Sequence, residues 1–362
     1  MAHDLESVAG ALRNGAPLCD DSLHLALGGG TLRLRSNSAQ LIAGLRDYFD
    51  HVACAPAEPD LDVVAIEREA PEIGLEFIYW KRGPGKSGRK DSYVDLPGGR
   101  AIRKVRSGMV FLQSKAHRIA AGPCLEYDNQ VINFINAQYM NWLQHRGWMI
   151  CHASGLVRNG CGFAIACFSG GGKSNLMLKL LEHDGVAYLT SDRLFVHPEG
   201  SGIAAPGVPK LPRINPGTLV HNPRLHALIE PERREELLGL PPSELCELEE
   251  KYDVLVERVY GADSIVAEAP LTTFLVLNWK RHSESPMRVK QVDLAARRDL
   301  LGAIMKSPGP FYQLPDGSFQ RDDAELDQEA YLDSLLGVAV FEASGRVDFE
   351  GLTDYCLEKL LG

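Results

Sequence analysis

The chain has 362 residues, of which 45% are hydrophobic and 24% charged, and a formal net charge of -10. These are the proportions of a folded protein with room for two cores, so dominant disorder is excluded, and the acidic balance excludes a chain that coats nucleic acid as a whole. No apolar run approaches the roughly 18 to 20 residues that span a bilayer, and "MAHDLESVAG" lacks the basic start and apolar centre of a signal peptide. A cytoplasmic protein with no membrane partner is expected, and its eight cysteines, none in a C-x-x-C pair, read as reduced thiols.

The first part reads as strands with one or two helices. "LHLALGGGTLRLRS" predicts a hairpin turning at Gly28 to Gly30. "SAQLIAGLRDYFDHV" has helical spacing behind a Ser38 cap. "LDVVAIER", "EFIYWKR", "SYVDL" and "MVFLQS" predict short strands. Between Lys81 and Arg106 nine basic residues are offset only by Asp91 and Asp95. This stretch reads either as a solvated hairpin tip or as a landing site for an acidic or phosphorylated partner. "DNQVINFINAQYMNWLQHRG" predicts a helix opened by Asp128, and the domain junction is placed near its end. The expected organisation is an N-terminal α+β domain over 1–147, with a part in acceptor or partner recognition, and a second α/β domain over 148–362.

The second domain opens with two strand-length runs, "WMICHASGLV" and "GFAIACFS", joined by Arg158, Asn159 and Gly160. Ser169, Gly170, Gly171 and Gly172 follow, and "KSNLMLKLLEH" has helical spacing. Strand, glycine-rich loop, helix is the order in which backbone N–H groups converge on phosphate oxygens at a helix N-terminus. A strict G-x-x-x-x-G-K-[ST] loop would have glycine where this chain has Cys167. An ordinary residue fits the last strand position so long as its φ stays negative. Lys173 would reach the β- and γ-phosphates of ATP, with Asn175 two residues on, and Ser174 would bind Mg²⁺. Asp192, eighteen residues beyond Ser174, ends the apolar run Val186 to Leu189 in "DGVAYLTSDRLFV", where a carboxylate serves metal holding or proton abstraction. Further on, "AAPGVPKLPRINPGTLV" carries Lys210 and Arg213 on a stiff path, and "LTTFLVLNW" is an apolar strand followed by Lys280 and Arg281.

Taken together, "HASGLV", "FSGGGKSNL" and "LTSDRLFV" resemble the HPr kinase/phosphorylase superfamily, and most closely HPr kinase-related kinases of type B. The resemblance covers roughly His152 to Val196. It implies a P-loop kinase domain with a mixed sheet, in the fold shared with phosphoenolpyruvate carboxykinases. It further implies that Ser169 to Ser174 hold ATP phosphate and Mg²⁺, that His152 on its strand is the active-site histidine, and that Asp192 is the second acid of a pair. The first acid is replaced by Ser191, and no counterpart of the family's phosphorylase segment is present. The function expected on this basis is Mg²⁺-dependent transfer of the γ-phosphoryl group of ATP to a hydroxyl of a protein serine or a small molecule. A nucleotide-binding regulatory or assembly protein without transfer is the alternative, favoured by Cys167 and Ser191. A homo-oligomer is compatible with either, and no nucleic-acid partner is expected.

Overall fold

The computed structural model describes residues 4–81, 88–168, 170–241, 244–245, 248, 250–280 and 282–362. The chain divides into two compact units, Met1–Trp148 with Ser307–Leu326, and Met149–Lys306 with Asp327–Gly362. Among the described residues no helix is long and apolar enough to cross a membrane.

The first unit is built on a mixed sheet. Its strands are β1 (Ser22–Leu27), β2 (Gly30–Ser36), β3 (Leu61–Glu67), β4 (Ile78–Tyr79), β5 (Asp91–Leu96), β6 (Gly99–Lys104), β7 (Val110–Ser114) and β8 (Arg118–Gly122), in the order β1-β2-β3-β8-β7-β6-β5-β4. The hairpin turn expected near Gly28 forms at Gly28 and Gly29, whose φ of 50° and 83° suit the paired strands. Helix α1 (Leu5–Arg13), which the sequence reading did not single out, packs Val8, Ala9 and Leu12 against Val64, Ile66, Val110 and Ile119. Helix α2 (Ala39–Tyr48) begins where Ser38 accepts the Leu41 N–H at 3.2 Å, as a serine N-cap should. Helix α3 (Asp128–Gln144) has eleven buried residues, too many for one exposed stripe, because the segment after Ser307 also packs on this unit.

That segment was left in the second domain by the contiguous division at 147/148, and the structure puts it with the first unit. The cause is local packing. The Phe311 ring lies 5.5 Å from Phe111 and 5.3 Å from Phe134, and Asn141 Nδ2 donates to the Phe311 carbonyl at 2.8 Å. Three rings closing on one another bury more apolar surface than a free connector could. The "EFIYWKR" strand shrinks to Ile78 and Tyr79, while β6 and β8 form where no strand had been expected.

The basic run is also different from its sequence reading. Arg82 and Lys86 lie outside the described residues. Much of the rest is two ordinary strands, β5 and β6, whose cations are used internally. Arg100 is 1% exposed, donates to both Asp95 oxygens and to the carbonyls of Pro310 and Gln320, and faces the rings of Tyr93 and Phe319. Lys104 pairs with Asp91, and Arg103 lies over Phe77. These side chains brace the sheet, and a run that is basic in sequence is not a basic face at these positions.

The second unit holds β9 (Met149–Cys151), β10 (Ala153–Arg158), β11 (Cys161–Cys167), β12 (Val186–Thr190), β13 (Leu194–Glu199), β14 (Gly202–Pro206), β17 (Glu268–Leu277), β18 (Arg288–Gln291) and β19 (Ala339–Ser344) in one mixed sheet; β15 (Arg213–Ile214) pairs separately with β16 (Tyr252–Asp253). The strands β11, β17 and β19 run parallel at its centre. Their near-continuous apolar sequences match burial on both faces. Helices α4 (Lys173–Leu181), α5 (Pro216–Val220), α6 (Pro231–Leu238), α7 (Val256–Tyr260), α8 (Leu301–Ile304), α9 (Gln328–Ser334) and α10 (Phe349–Tyr355) belong to this unit. The whole is a mixed α/β structure.

Candidate functional site

Strand β11 ends at buried Cys167 and the chain turns through Phe168 to Gly172 into α4. Gly170 and Gly172 have φ of 77° and 86°, which non-glycine residues rarely adopt, and Gly171 N–H closes the turn on the Phe168 carbonyl at 2.9 Å. Cys167 is not among the residues with positive φ, so the missing glycine imposes no backbone strain at that position. Ser169 lies outside the described residues. Among the described residues no side chain caps the N-terminus of α4, and its first-turn N–H groups have no carbonyl one turn earlier within the helix.

Two aromatic residues hold this loop from beneath. Trp279, directly after β17, donates Nε1–H to the Gly171 carbonyl at 2.8 Å. Its ring meets Phe349 edge to face at 5.0 Å and 81°. Phe349 in turn leaves no room beside Gly172, where a Cβ would come within 2.4 Å of the ring. In the sequence Trp279 closes the apolar run "LTTFLVLNW", and nothing local marks it as a support of the loop; Arg281 lies outside the described residues.

Asp192 and His152 are brought together by one feature of the sheet. The antiparallel pairing of β10 with β12 gives way to that of β9 with β13, Gly155 facing Thr190 on one side of the break and Cys151 facing Leu194 on the other. His152 is the residue between β9 and β10, and Asp192 lies in the link between β12 and β13. His152 was expected on a strand; it occupies a bend, where its N–H donates to the Ile304 carbonyl at 2.6 Å. Free of the ladder, the two side chains meet, His152 Nε2 lying 3.1 Å from Asp192 Oδ1.

Cations crowd the same carboxylate. Lys173 Nζ donates to Asp192 Oδ1 and to the Ser191 carbonyl, both at 3.2 Å, with its side chain only 8% exposed. Lys306 Nζ lies 3.6 Å and Arg193 Nε 3.8 Å from Oδ2. Burial alone would push the Asp192 carboxyl up, but the hydrogen bond from His152 and the charges of Lys173 and Lys306 outweigh it and hold the group well below its ordinary value. For His152 the Asp192 hydrogen bond acts to raise the pKa; burial and the two lysine charges exceed it, so the imidazole is held below its ordinary 6.5. At neutral pH the pair is a carboxylate and a neutral ring.

The structure separates other candidates from this cluster. Asn175 Oδ1 accepts the Thr218 hydroxyl at 2.9 Å and thereby ties α4 to α5. Arg213 pairs with Asp253 at 3.1 Å. The additional cation comes instead from Lys306, which the sequence reading missed. It stands 114 positions from Asp192 and just beyond α8, and no local pattern marks it; the bridge between Cys151 and Met305 brings it in. Ser191 supplies its carbonyl, which also accepts the Ser154 hydroxyl at 2.6 Å. Among the described residues no group of three or more His, Cys, Asp or Glu side chains could hold a metal ion.

No family model matches the chain, and no curated protein matches it. Among solved structures it is similar to the Hpr(Ser) kinase/phosphatase from Coxiella burnetii, at 13% identity over 59% of this chain and 91% of that one, with a TM-score of 0.30. A likeness at that level fixes neither fold nor function.

Proposed function

We propose that this protein is an ATP-dependent kinase that moves the γ-phosphoryl group to a hydroxyl of a protein serine or small-molecule acceptor, on a P-loop domain of the HPr kinase and carboxykinase type. One arrangement supports the reading above the others. An uncapped helix N-terminus stands behind two left-handed glycines, with a buried lysine at its first position and an ionised carboxylate 3.2 Å from that lysine. An uncapped N-terminus favours an anion through its free N–H groups and the helix dipole.

In this reading Gly170 to Ser174 and Asn175 cradle the nucleotide phosphates by their backbone. Mg²⁺ fits the donor set, because it keeps several waters and takes few protein oxygens; Ser174 and Asp192 would hold it. Bound with the nucleotide, it supplies charge neutralisation on the phosphates. Lys173 leaves Asp192 for the phosphates, which frees carboxylate lone pairs. Asp192 then orients the acceptor hydroxyl and receives its proton as the new P–O bond forms and ADP departs, while His152 fixes the carboxylate. Lys306 stabilises the charge spread over the transferring group. The first unit is the proposed source of acceptor specificity.

The test is incubation with γ-labelled ATP and Mg²⁺, with and without a lysate of the source cell, for the wild type, Lys173→Ala and Asp192→Asn. Label on protein or small molecule should fall by about 10²- to 10⁴-fold in each variant. Transfer surviving both substitutions would sink the assignment. ATP binding without label transfer or ADP would favour the nucleotide-binding regulator.

A further inference from the structure

The first unit contains a cleft of about 330 Å³ between α3, the start of β3 and the turn joining β7 to β8. That volume lies within the range of small-molecule sites. Its chemistry is unusual for a gap between packed elements. Arg118, at the start of β8, lines it with a partly buried side chain. Burial lowers the pKa of that group, opposed only by the charge of Asp62, and among the described residues its side chain has no hydrogen-bond or ion-pair partner. Asp62 is committed elsewhere, to Arg33 and Arg35.

Polar groups around Arg118 are similarly unfinished. Gln138 is 0% exposed and gives its Nε2 to Gln113 at 2.7 Å, but its Oε1 has no partner. The Trp142 indole N–H is buried without an acceptor. Arg146 lies 3.6 Å above the Trp142 ring, and Lys115 adds a third cation to the lining. The one lining carboxylate, Asp60, already accepts the Thr31 N–H at 2.8 Å. Buried polar groups in folded proteins are normally hydrogen-bonded, and a buried cation is normally paired. Those two atoms stand behind the lining; of its three cations Lys115 donates to the Pro315 carbonyl and Arg146 to the Trp142 carbonyl, which leaves Arg118 as the one with no side-chain partner among the described residues.

We infer that this cleft binds a small oxyanion, a carboxylate or a phosphate ester. The anion sits between Arg118 and Lys115. The site is separate from the glycine-rich loop and does not depend on what that loop does.

Independence sets the form of the experiment. The full chain carrying Lys173→Ala, so that the loop lysine is absent, is titrated with malate and with glycerol 3-phosphate at constant ionic strength. Binding is followed by calorimetry. Saturable binding of either compound is expected, and the one that binds names the class. Adding Arg118→Gln should weaken it at least tenfold, Arg118→Lys less. Lys115→Ala, at a more exposed position, gives the same direction should Arg118→Gln unfold the protein. The inference is overturned if neither compound saturates, or if both the Arg118 and Lys115 variants that remain folded bind as tightly as their parent.

Discussion

Buried positive charge is handled in opposite ways by the two units. In the second, Lys173, Lys306 and Arg193 converge with His152 on the single carboxylate of Asp192. In the first, Arg118 is desolvated beside a cleft whose one carboxylate, Asp60, accepts the Thr31 N–H instead. A compensated cluster is stable as it stands and keeps its cations in position until a better anion displaces the carboxylate. An uncompensated cation costs stability for as long as the cleft is empty and returns it when a ligand arrives. The difference predicts mutational effects of opposite sign.

The largest effect is expected where the first arrangement is most tightly built. Gly172→Ala places a Cβ in the left-handed region and 2.4 Å from the Phe349 ring. Backbone strain of roughly 1–2 kcal/mol and overpacking of about 1–3 kcal/mol together predict a loss of about 2–5 kcal/mol in urea unfolding. Phe349→Ala in the same chain should recover the overpacking part but not the strain, so the two substitutions are non-additive. Strict additivity would show that the ring does not restrict the loop.

Breaking the compensation itself comes next. Asp192→Asn strands the lysines, and because the Asp192 side chain is 44% exposed the expected loss at pH 7 is only about 1–2 kcal/mol. The pH dependence carries the sign. The folded pKa of Asp192 lies below the unfolded 3.8, so its contribution is full above pH 3.8 and is lost as pH falls toward the folded value. The folded pKa of His152 lies below 6.5, so wild-type stability already declines as pH drops under 6.5, where only the unfolded chain takes up that proton. Without Asp192 the His152 pKa should fall further in an NMR titration, since the interaction that raises it is gone. The stability gap therefore widens slightly below pH 6.5 and closes below 3.8. A His152 pKa that rises in the variant would contradict the assignment of its neighbours.

What could be read in the sequence follows from how far apart the cooperating residues lie. The loop from Cys167 to Ser174 and the strand ending near Asp192 are local patterns, with period and turn chemistry contained in about thirty residues. His152 was legible as a residue but not as a bend, because a break in strand pairing depends on the partner strands. Trp279 and Phe349 reach the loop only through the order of β11, β17 and β19, and Lys306 reaches Asp192 only through the bridge of Met305 to Cys151; no window along the chain reveals either. The basic run Lys81 to Arg106 makes the complementary point, since Arg100, Arg103 and Lys104 are used within the sheet while Lys81, Arg89, Lys90 and Arg106 are exposed. Charge density along a chain says nothing of which cations are consumed by neighbouring carboxylates and rings, and Arg100, the most buried of the described members, is fully engaged. Arg118, isolated in the sequence, has no side-chain partner among the described residues.

That contrast gives the smallest predicted effect and the one with unexpected direction. Arg118→Met keeps an apolar stem and removes a charge that the empty protein leaves unpaired. Deleting a buried cation from an ion pair would destabilise, whereas here the desolvation cost disappears and no carboxylate is orphaned, because Asp62 retains Arg33 and Arg35. Unfolding in buffer free of carboxylate and phosphate should show the variant equal to wild type or more stable by up to about 1 kcal/mol. Adding whichever of malate or glycerol 3-phosphate binds should then reverse the order, since a ligand held only by the wild-type cleft raises wild-type stability by mass action. A variant that is less stable in both conditions would mean that the guanidinium is already satisfied within the fold and that the cleft asks for nothing.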